Sequence, residues 1–163
     1  MSNVELTFKE DEFIISKTDL NGKITYGNEH FISISGYSEK ELLNMPHNIL
    51  RHPDMPSIIF KLLWEHISKG QEIFAYVKNL NKIGKYYWVF AHVTPSFDEL
   101  GRIIGYHSVR RKPNMQIIPM VESLYRDMLA KEKQKGLQAS EVVLQETITK
   151  KGFVSYAEFI LSI

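Results

Sequence analysis

The chain contains no cysteine among its 163 residues. Disulfides, thiolate metal sites and cysteine nucleophiles are therefore excluded. The formal net charge is only +1, which argues against a nucleic-acid partner, because such binding needs clustered basic charge. No apolar run approaches the roughly 18 residues of a membrane span, so we expect no direct insertion into a membrane.

Other signals of common functions are also missing. The N-terminal segment MSNVELTFKEDEF lacks the basic and then apolar order of a secretory signal, so we expect a cytoplasmic protein. The six histidines form neither an HExxH motif nor a pair four residues apart, so no metal site is predicted. No Walker loop is present, and no nucleophile stands at a recognisable spacing from a base, so we do not expect an enzyme.

Hydrophobic residues make up 44% of the chain and aromatic residues 12%, enough to form a core. Alternating apolar residues around Asn21-Gly22 predict a β-hairpin at about 13–27. A capping box from Ser38 to Glu41 starts a short helix that Pro46 is expected to end. The stretch SIIFKLLWEHISKG predicts a longer helix, and three β-rich runs follow it.

This order of elements predicts an α+β fold, in which an antiparallel sheet is flanked by short helices. We assign residues 8–112 to this domain. Beyond Pro113, apolar residues at Met120, Leu124 and Met128 recur at helical spacing. Residues 113–163 are therefore predicted to form a helical C-terminal extension that serves as an output or oligomer surface.

The segment PHNILRHPDMP, residues 46–56, holds three prolines, which stiffen its backbone and suit the wall of a ligand pocket. Arg51 offers a planar fork for phosphate, and His52 can add a second donor. Asp54 would orient one of these side chains or cap the next helix. The simpler alternative is a surface ion pair between Arg51 and Asp54, worth about 0–1 kcal/mol.

Three stretches together suggest a family. TDLNGKITYGNEHFISISGY, ELLNMPHNILRHPDMP and GRIIGYHSVR resemble the flavin-binding PAS domain of Aer-type energy-taxis (aerotaxis) receptors, which implies the PAS sensor fold. Those receptors continue into a membrane span, a HAMP-type relay and a coiled coil, and this sequence ends at Ile163. It therefore looks like the detached sensor half of a bipartite energy-taxis system, similar to stand-alone sensors of the CetB type.

The resemblance implies a bound FAD whose redox state reports electron flow or oxygen. It also implies a partner, a membrane-bound transducer of the methyl-accepting chemotaxis type with a HAMP-like relay, and it is compatible with a homodimer. The positions that match cofactor-binding residues of the family are Asn28, Arg51, His52, Asp54, Trp64, Asn79 and Trp88.

Several of these residues also have ordinary structural interpretations. Asn28 can be a helix cap, and Trp64 can be a core residue of its helix. Tyr87 and Trp88 alternate along a strand, so we expect only one of them to face inward. Asn79 is a poor strand residue unless its amide has a partner, and an amide suits the donor and acceptor edge of a flavin.

Three other functions compete with a flavin sensor. A cofactor-free PAS module would mediate only dimerisation or docking, and a haem-binding PAS domain could use a histidine such as His66 as its ligand. A small flavoenzyme is the third alternative. A light-driven adduct between flavin and cysteine is impossible in this chain.

Overall fold

The computed structural model describes residues 1–163. It has one five-stranded sheet in the order β2-β1-β5-β4-β3, in which every neighbouring pair is antiparallel. The strands are β1 (Ile14–Thr18), β2 (Ile24–Gly27), β3 (Ile73–Leu80), β4 (Tyr86–Phe97) and β5 (Ile103–Arg111). The helices are α1 (Glu29–Ser35), α2 (Glu39–Leu42), α3 (Ser57–Ile67), α4 (Ile118–Lys135), α5 (Leu137–Lys150) and α6 (Tyr156–Ser162). The predicted α+β architecture is confirmed.

The local turn signals fold as their residue types predict. In the β1–β2 hairpin, the Asp19 carboxylate accepts the backbone N–H groups of Asn21 and Lys23, and the intervening glycine has a φ of 78°. The capping box of α2 is present. Helix α2 ends at Leu42, however, before the expected stop at Pro46. Asn44 already adopts the left-handed conformation, with a φ of 66°, and this conformation cannot continue a right-handed helix.

The two faces of the sheet are covered by different parts of the chain. Helix α3 packs on the inner face, and the C-terminal helices cover the outer face. There the Tyr125 hydroxyl donates to the carbonyl of Tyr76 at 2.8 Å and lies 2.9 Å from the hydroxyl of Tyr156. Tyr87 and Trp88 are therefore both buried. Tyr87 faces inward, and Trp88, which turns away from the inner face, lies under the extension.

The extension shares the hydrophobic core of the sheet. Buried side chains of α4, α5 and α6, such as Met128, Leu144 and Phe159, belong to the same cluster as Ile14 and Val89 of the strands. The boundary between residues 8–112 and residues 113–163 falls in the connection from β5 to α4, and the division into two domains stays a prediction. None of the helices combines the length and the apolar character needed to cross a membrane.

Candidate functional site

A cavity of about 390 Å³ lies between the inner face of the sheet and α3. Its size falls within the range of about 300–1,000 Å³ that is usual for small-molecule sites. It is lined by Ser16, Thr18, Asn21, Gly22, Pro46, His47, Asn48, Arg51, Phe60, Leu63, Trp64, Ile67, Val77, Asn79, Ala91, Val93, Tyr106, His107, Ser108 and Arg110. Eight of these residues are hydrophobic and ten have polar side chains, a mixed lining that suits a planar ligand with both apolar and polar surface.

Trp64 forms the edge of this cavity on α3. Its ring packs edge-on against Tyr106 of β5, with the ring centres 5.3 Å apart, and the residue is 40% exposed. It also lies against the β1–β2 turn, where a Cβ added at Gly22 would come within 3.1 Å of the indole. The glycine thus allows the hairpin turn and Trp64 to approach each other closely.

Arg110 of β5 supplies a buried cation to the cavity wall, and it is only 3% exposed. One guanidinium nitrogen donates to Nε2 of His47 at 3.0 Å and another donates to the hydroxyl of Ser16. The guanidinium also stands 5.0 Å from the centre of the Phe31 ring. Its Nε has no hydrogen-bond partner, and none of the ion pairs of the protein includes Arg110. Such a cation is costly to bury unless an opposite charge is paired with it.

The titratable groups around Arg110 carry no compensating charge. Burial lowers the pKa of Arg110 to about 10, so the guanidinium remains protonated at neutral pH. Burial and the charge of Arg110 lower the pKa of His47 to about 3, which keeps the imidazole neutral. The Tyr87 hydroxyl is buried without a partner, and burial raises its pKa, so it stays protonated. The group as a whole is therefore positive.

His47 should make the free energy of unfolding depend on pH. The unfolded chain binds a proton at His47 near pH 6.5, whereas the folded chain does so near pH 3. Between these values the unfolded state holds more protons, so stability falls as the pH falls, by up to about 1.4 kcal/mol per pH unit. We expect His47→Gln to remove this part of the slope in chemical denaturation between pH 6.5 and 4, and the exposed His30→Gln to keep it. Equal slopes for all three proteins would contradict the assignment.

Two further predicted residues, Arg51 and Asn79, meet at the cavity and are joined through their backbones by an isolated antiparallel bridge. The Arg51 guanidinium stands 4.4 Å from the centre of the Phe60 ring. It donates to the carbonyl of Met55 at 3.2 Å and to the hydroxyl of Ser57 at 2.9 Å. These contacts hold the proline-rich loop against the first turn of α3. Asn79 is 5% exposed and places an amide in the inner face of the sheet.

Asp54 of the same loop faces the outer side of the sheet. Its carboxylate receives a hydrogen bond from the Lys78 ammonium at 2.8 Å, and Glu122 of α4 lies 3.3 Å from the same ammonium. Burial opposes the charge of Lys78, but the bonds to Asp54 and Glu122 outweigh burial and raise the pKa of the lysine. The alternative of a surface ion pair between Arg51 and Asp54 does not form: the Asp54 carboxylate binds Lys78, and the Arg51 guanidinium binds Met55 and Ser57.

A glutamate of the extension caps the helix that borders the cavity. The Glu132 carboxylate accepts the backbone N–H of Ser57 at 2.9 Å and that of Ile58 at 3.4 Å. These are orphan donors at the start of α3, where a negative charge also complements the helix dipole. The sequence suggested Asp54 for this role, but the cap comes from a residue 75 positions away.

The structure thus brings Arg51, Trp64 and Asn79 together at the cavity, and it places the other four predicted residues elsewhere. Asn28 caps α1: its side-chain Oδ1 accepts from Phe31 N at 2.9 Å and from Ile15 N at 3.1 Å. His52 is buried beside Tyr86, and its Nδ1 accepts from the backbone N–H of Asp54. Trp88 lies on the outer face of the sheet, next to Tyr125, with the ring centres 6.2 Å apart.

Apolar neighbours of the predicted site residues, and the histidine considered as a haem ligand, differ in their relation to the cavity. Phe60 lines the cavity, whereas Ile58, Ile59 and Tyr87 do not. His66 does not line the cavity either, and its Nδ1 lies 2.7 Å from the carbonyl oxygen of Leu62 on its own helix.

Several cavity residues were missed by the sequence analysis, above all Arg110 and His47. One available signal was the two-residue period of β5: Tyr106, Ser108 and Arg110 share a face and all line the cavity. An arginine at the inward-facing position of a strand is unusual enough to suggest a site. No comparable pattern singled out His47, although it belongs to the proline-rich segment predicted to form a pocket wall; it reaches the cavity from the 3-10 turn His47–Leu50.

The comparison with protein families supports the expected fold. The family described as the PAS fold matches residues 24–110, just over half of the chain. The chain belongs to the PAS family. A light-oxygen-voltage domain, described in work with a flavin analogue, has the same fold with a TM-score of 0.59 and 20% sequence identity. That similarity covers 68% of this chain and 83% of the light-oxygen-voltage domain.

Two sequence relatives of this PAS chain are signalling proteins. The aerotaxis receptor of Escherichia coli (strain K12) is 40% identical over 134 residues, which are 82% of this chain and 26% of the receptor. The biofilm dispersion protein BdlA of Pseudomonas aeruginosa is 30% identical over 87 residues, 53% of this chain and 21% of that protein. The chain therefore spans about a quarter or less of the length of these relatives.

Proposed function

We propose that this PAS chain is a cytoplasmic FAD-binding sensor of redox state or oxygen for energy taxis. In this proposal it signals to a separate membrane-bound transducer of the methyl-accepting chemotaxis type with a HAMP-like relay, as a CetB-type sensor would. The 40% identity to an aerotaxis receptor supports the pathway. The observation that carries the cofactor is the cavity itself, in which Arg51, Asn79 and Arg110 converge between apolar walls.

The residues of the cavity fit a flavin. The ring system is apolar and planar with a polar edge, and the side chains of Phe60, Trp64 and Val77 offer apolar surface to it. Asn79 provides both a donor and an acceptor for such an edge. The unpaired Nε of Arg110 is a donor that lacks a partner within the protein.

Arg51 is the residue we assign to the phosphates of FAD. Arg51 lines the cavity, and its guanidinium is held by Met55 and Ser57 in one orientation. A planar, permanently charged fork suits phosphate oxygens, and its fixed position reduces the entropy lost on binding. The prolines of this loop, at positions 46, 53 and 56, restrict the backbone further.

Asn79 is the residue we assign to the first step of signalling. When bound, a flavin supplies a redox-active ring in which reduction exchanges a hydrogen-bond acceptor for a donor. The Asn79 amide can rotate to present its carbonyl or its NH₂ group to that edge, which gives the differential contact that a switch requires. The preceding residue of β3, Lys78, points to the other face and binds Glu122 of α4 and Asp54.

The extension is the surface that we propose to carry the signal to the transducer or to a second copy of the chain. Two contacts join it to the cavity wall. Arg51 donates to Ser57, whose backbone N–H donates to Glu132, and Lys78 joins the sheet to Glu122. A rearrangement at Arg51 or Asn79 therefore reaches α4 through hydrogen bonds and an ion pair.

The visible spectrum of the purified protein tests the cofactor. We expect the two absorption bands of oxidised flavin, either as purified or after FAD is added to the apoprotein. The bands should bleach on anaerobic reduction and return in air. Extraction and chromatography of the chromophore will distinguish FAD from FMN.

Other spectra would support other functions. A folded protein that remains colourless and does not bind added FAD would refute the flavin sensor and favour a cofactor-free interaction module. One intense, sharp band at the blue edge of the visible range would instead indicate haem.

A further inference from the structure

We propose that Arg110 is the fixed counter-charge for the reduced flavin ring. In this role it raises the midpoint potential of the sensor and prevents the reduced ring from taking up a second proton. The inference rests on the proposed function, because it requires that a flavin bind in the cavity.

The first observation is a contrast between the two buried cations of the protein. Lys78 is 6% exposed and meets two carboxylates, those of Asp54 and Glu122. Arg110 is 3% exposed and meets none, and its Nε lacks any partner. A buried charge is normally paired. Lys78 has its counter-charge within the fold, whereas Arg110 lines the cavity and is left to be compensated by whatever the cavity binds.

The second observation is that no neighbour of Arg110 can take over this role. His47 and Tyr87 are held neutral by burial. The pKa of His107, also at the cavity, is lowered by burial and by Lys17, so this ring is neutral too at neutral pH. The other cation of the cavity wall, Arg51, is held by the proline-rich loop and the start of α3, and it is the residue assigned above to the phosphates and not to the ring.

The chemistry of reduction supplies the missing counter-charge. Two electrons and one proton give an isoalloxazine ring with a charge of −1, and a second proton would make it neutral. A guanidinium in a cavity of low dielectric favours the negative form and opposes the second protonation. Arg110 thus stabilises the reduced ring more than the oxidised ring, and this difference raises the midpoint potential.

Potentiometric titration of the flavin-loaded protein tests the inference, with dithionite as the reductant and absorbance as the readout. We expect Arg110→Gln to lower the midpoint potential by at least about 30 mV. For a two-electron couple this is a tenfold shift of the redox equilibrium towards the oxidised form. Arg111→Gln is the matched control. This neighbour on β5 is exposed, and its guanidinium stands 5.2 Å from the centre of the Phe90 ring on the opposite face of the sheet. The midpoint potential of Arg111→Gln should match that of the wild type.

The pH dependence of the potential reports the protons taken up. With one proton taken up per two electrons, the midpoint potential of the wild type should change by about 30 mV per pH unit, which is a tenfold change in the redox equilibrium. In Arg110→Gln at mildly acidic pH, the reduced ring should take up the second proton as well. The midpoint potential should then change by about 59 mV per pH unit, a hundredfold change in the redox equilibrium. Arg110→Lys keeps a positive charge and should retain the shallower slope of the wild type.

The outcomes separate this inference from the proposed function. If the wild type binds no flavin, the sensor proposal fails and this inference fails with it. If flavin binds but Arg110→Gln keeps both the potential and the slope of the wild type, only this inference is overturned. If Arg110→Gln does not fold or does not bind flavin, the lysine variant decides. A steep change of midpoint potential with pH in flavin-bound Arg110→Lys overturns the inference, and a shallow change supports it.

Discussion

Arg51→Ala is expected to weaken FAD binding by roughly tenfold to a hundredfold. This range corresponds to the loss of charge-assisted hydrogen bonds worth about 1.5–3 kcal/mol. Arg51 lines the cavity and its guanidinium is held by Met55 and Ser57, so alanine removes both the proposed phosphate donor and a tie within the proline-rich loop. The measurement is the dissociation constant of FAD from the apoprotein, determined by the quenching of flavin fluorescence.

Riboflavin separates these two roles of Arg51, because it carries the same ring without phosphate. If Arg51 acts on phosphate, Arg51→Ala should weaken FAD binding and leave riboflavin binding nearly unchanged. An equal loss for both ligands would show that the residue acts by shaping the cavity. Arg102→Ala is the control, since that side chain is 72% exposed beside Asp98 in the turn between β4 and β5. Undiminished FAD binding by Arg51→Ala would contradict the assignment to phosphate.

Met128→Ala is expected to destabilise the whole chain by about 2–5 kcal/mol, the usual cost of truncating a large core side chain to alanine. Met128 lies on α4 with 0% exposure, in the cluster that also contains the strands of the sheet. Because one core serves both parts, the sheet and the extension should unfold in a single cooperative transition. Chemical denaturation followed by circular dichroism and tryptophan fluorescence measures this loss.

The control for Met128 is Met115→Ala. Met115 precedes α4 and is 39% exposed, so its truncation should change the free energy of unfolding by less than about 0.5 kcal/mol. Two separate transitions, of which only the helical one shifts in Met128→Ala, would contradict a shared core. Such a result would show that residues 113–163 are an independently stable unit.

The sheet and the helices were largely predictable, because their signals are local. Asn21-Gly22 specifies a tight turn, Ser38 and Glu41 specify a capping box, and both form as expected. The face of α4 that carries Leu124 and Met128 is buried, as helical spacing predicted. In each case the residues that give the signal lie within a few positions of the structure that they determine.

The candidate site was predictable only in part, because it depends on which distant residues meet. The proline-rich segment does border the cavity through Arg51, but Asp54 of the same segment binds Lys78 on the opposite face of the sheet. The alternation along β4 showed that Tyr87 and Trp88 face opposite ways. It did not show that the extension would bury the outward one.

By itself, the sequence determined the α+β architecture, the absence of any thiol chemistry and the stiff segment that borders the cavity, and the PAS fold was what its resemblance to a family implied. The first three properties depend on residue types and on spacings of a few positions. Only the tertiary structure decided that Arg110 is a buried cation without a carboxylate, and that Glu132 caps the helix bordering the cavity. Both facts concern contacts between residues far apart in the chain, and a local pattern carries no information about which distant charge will, or will not, be its partner.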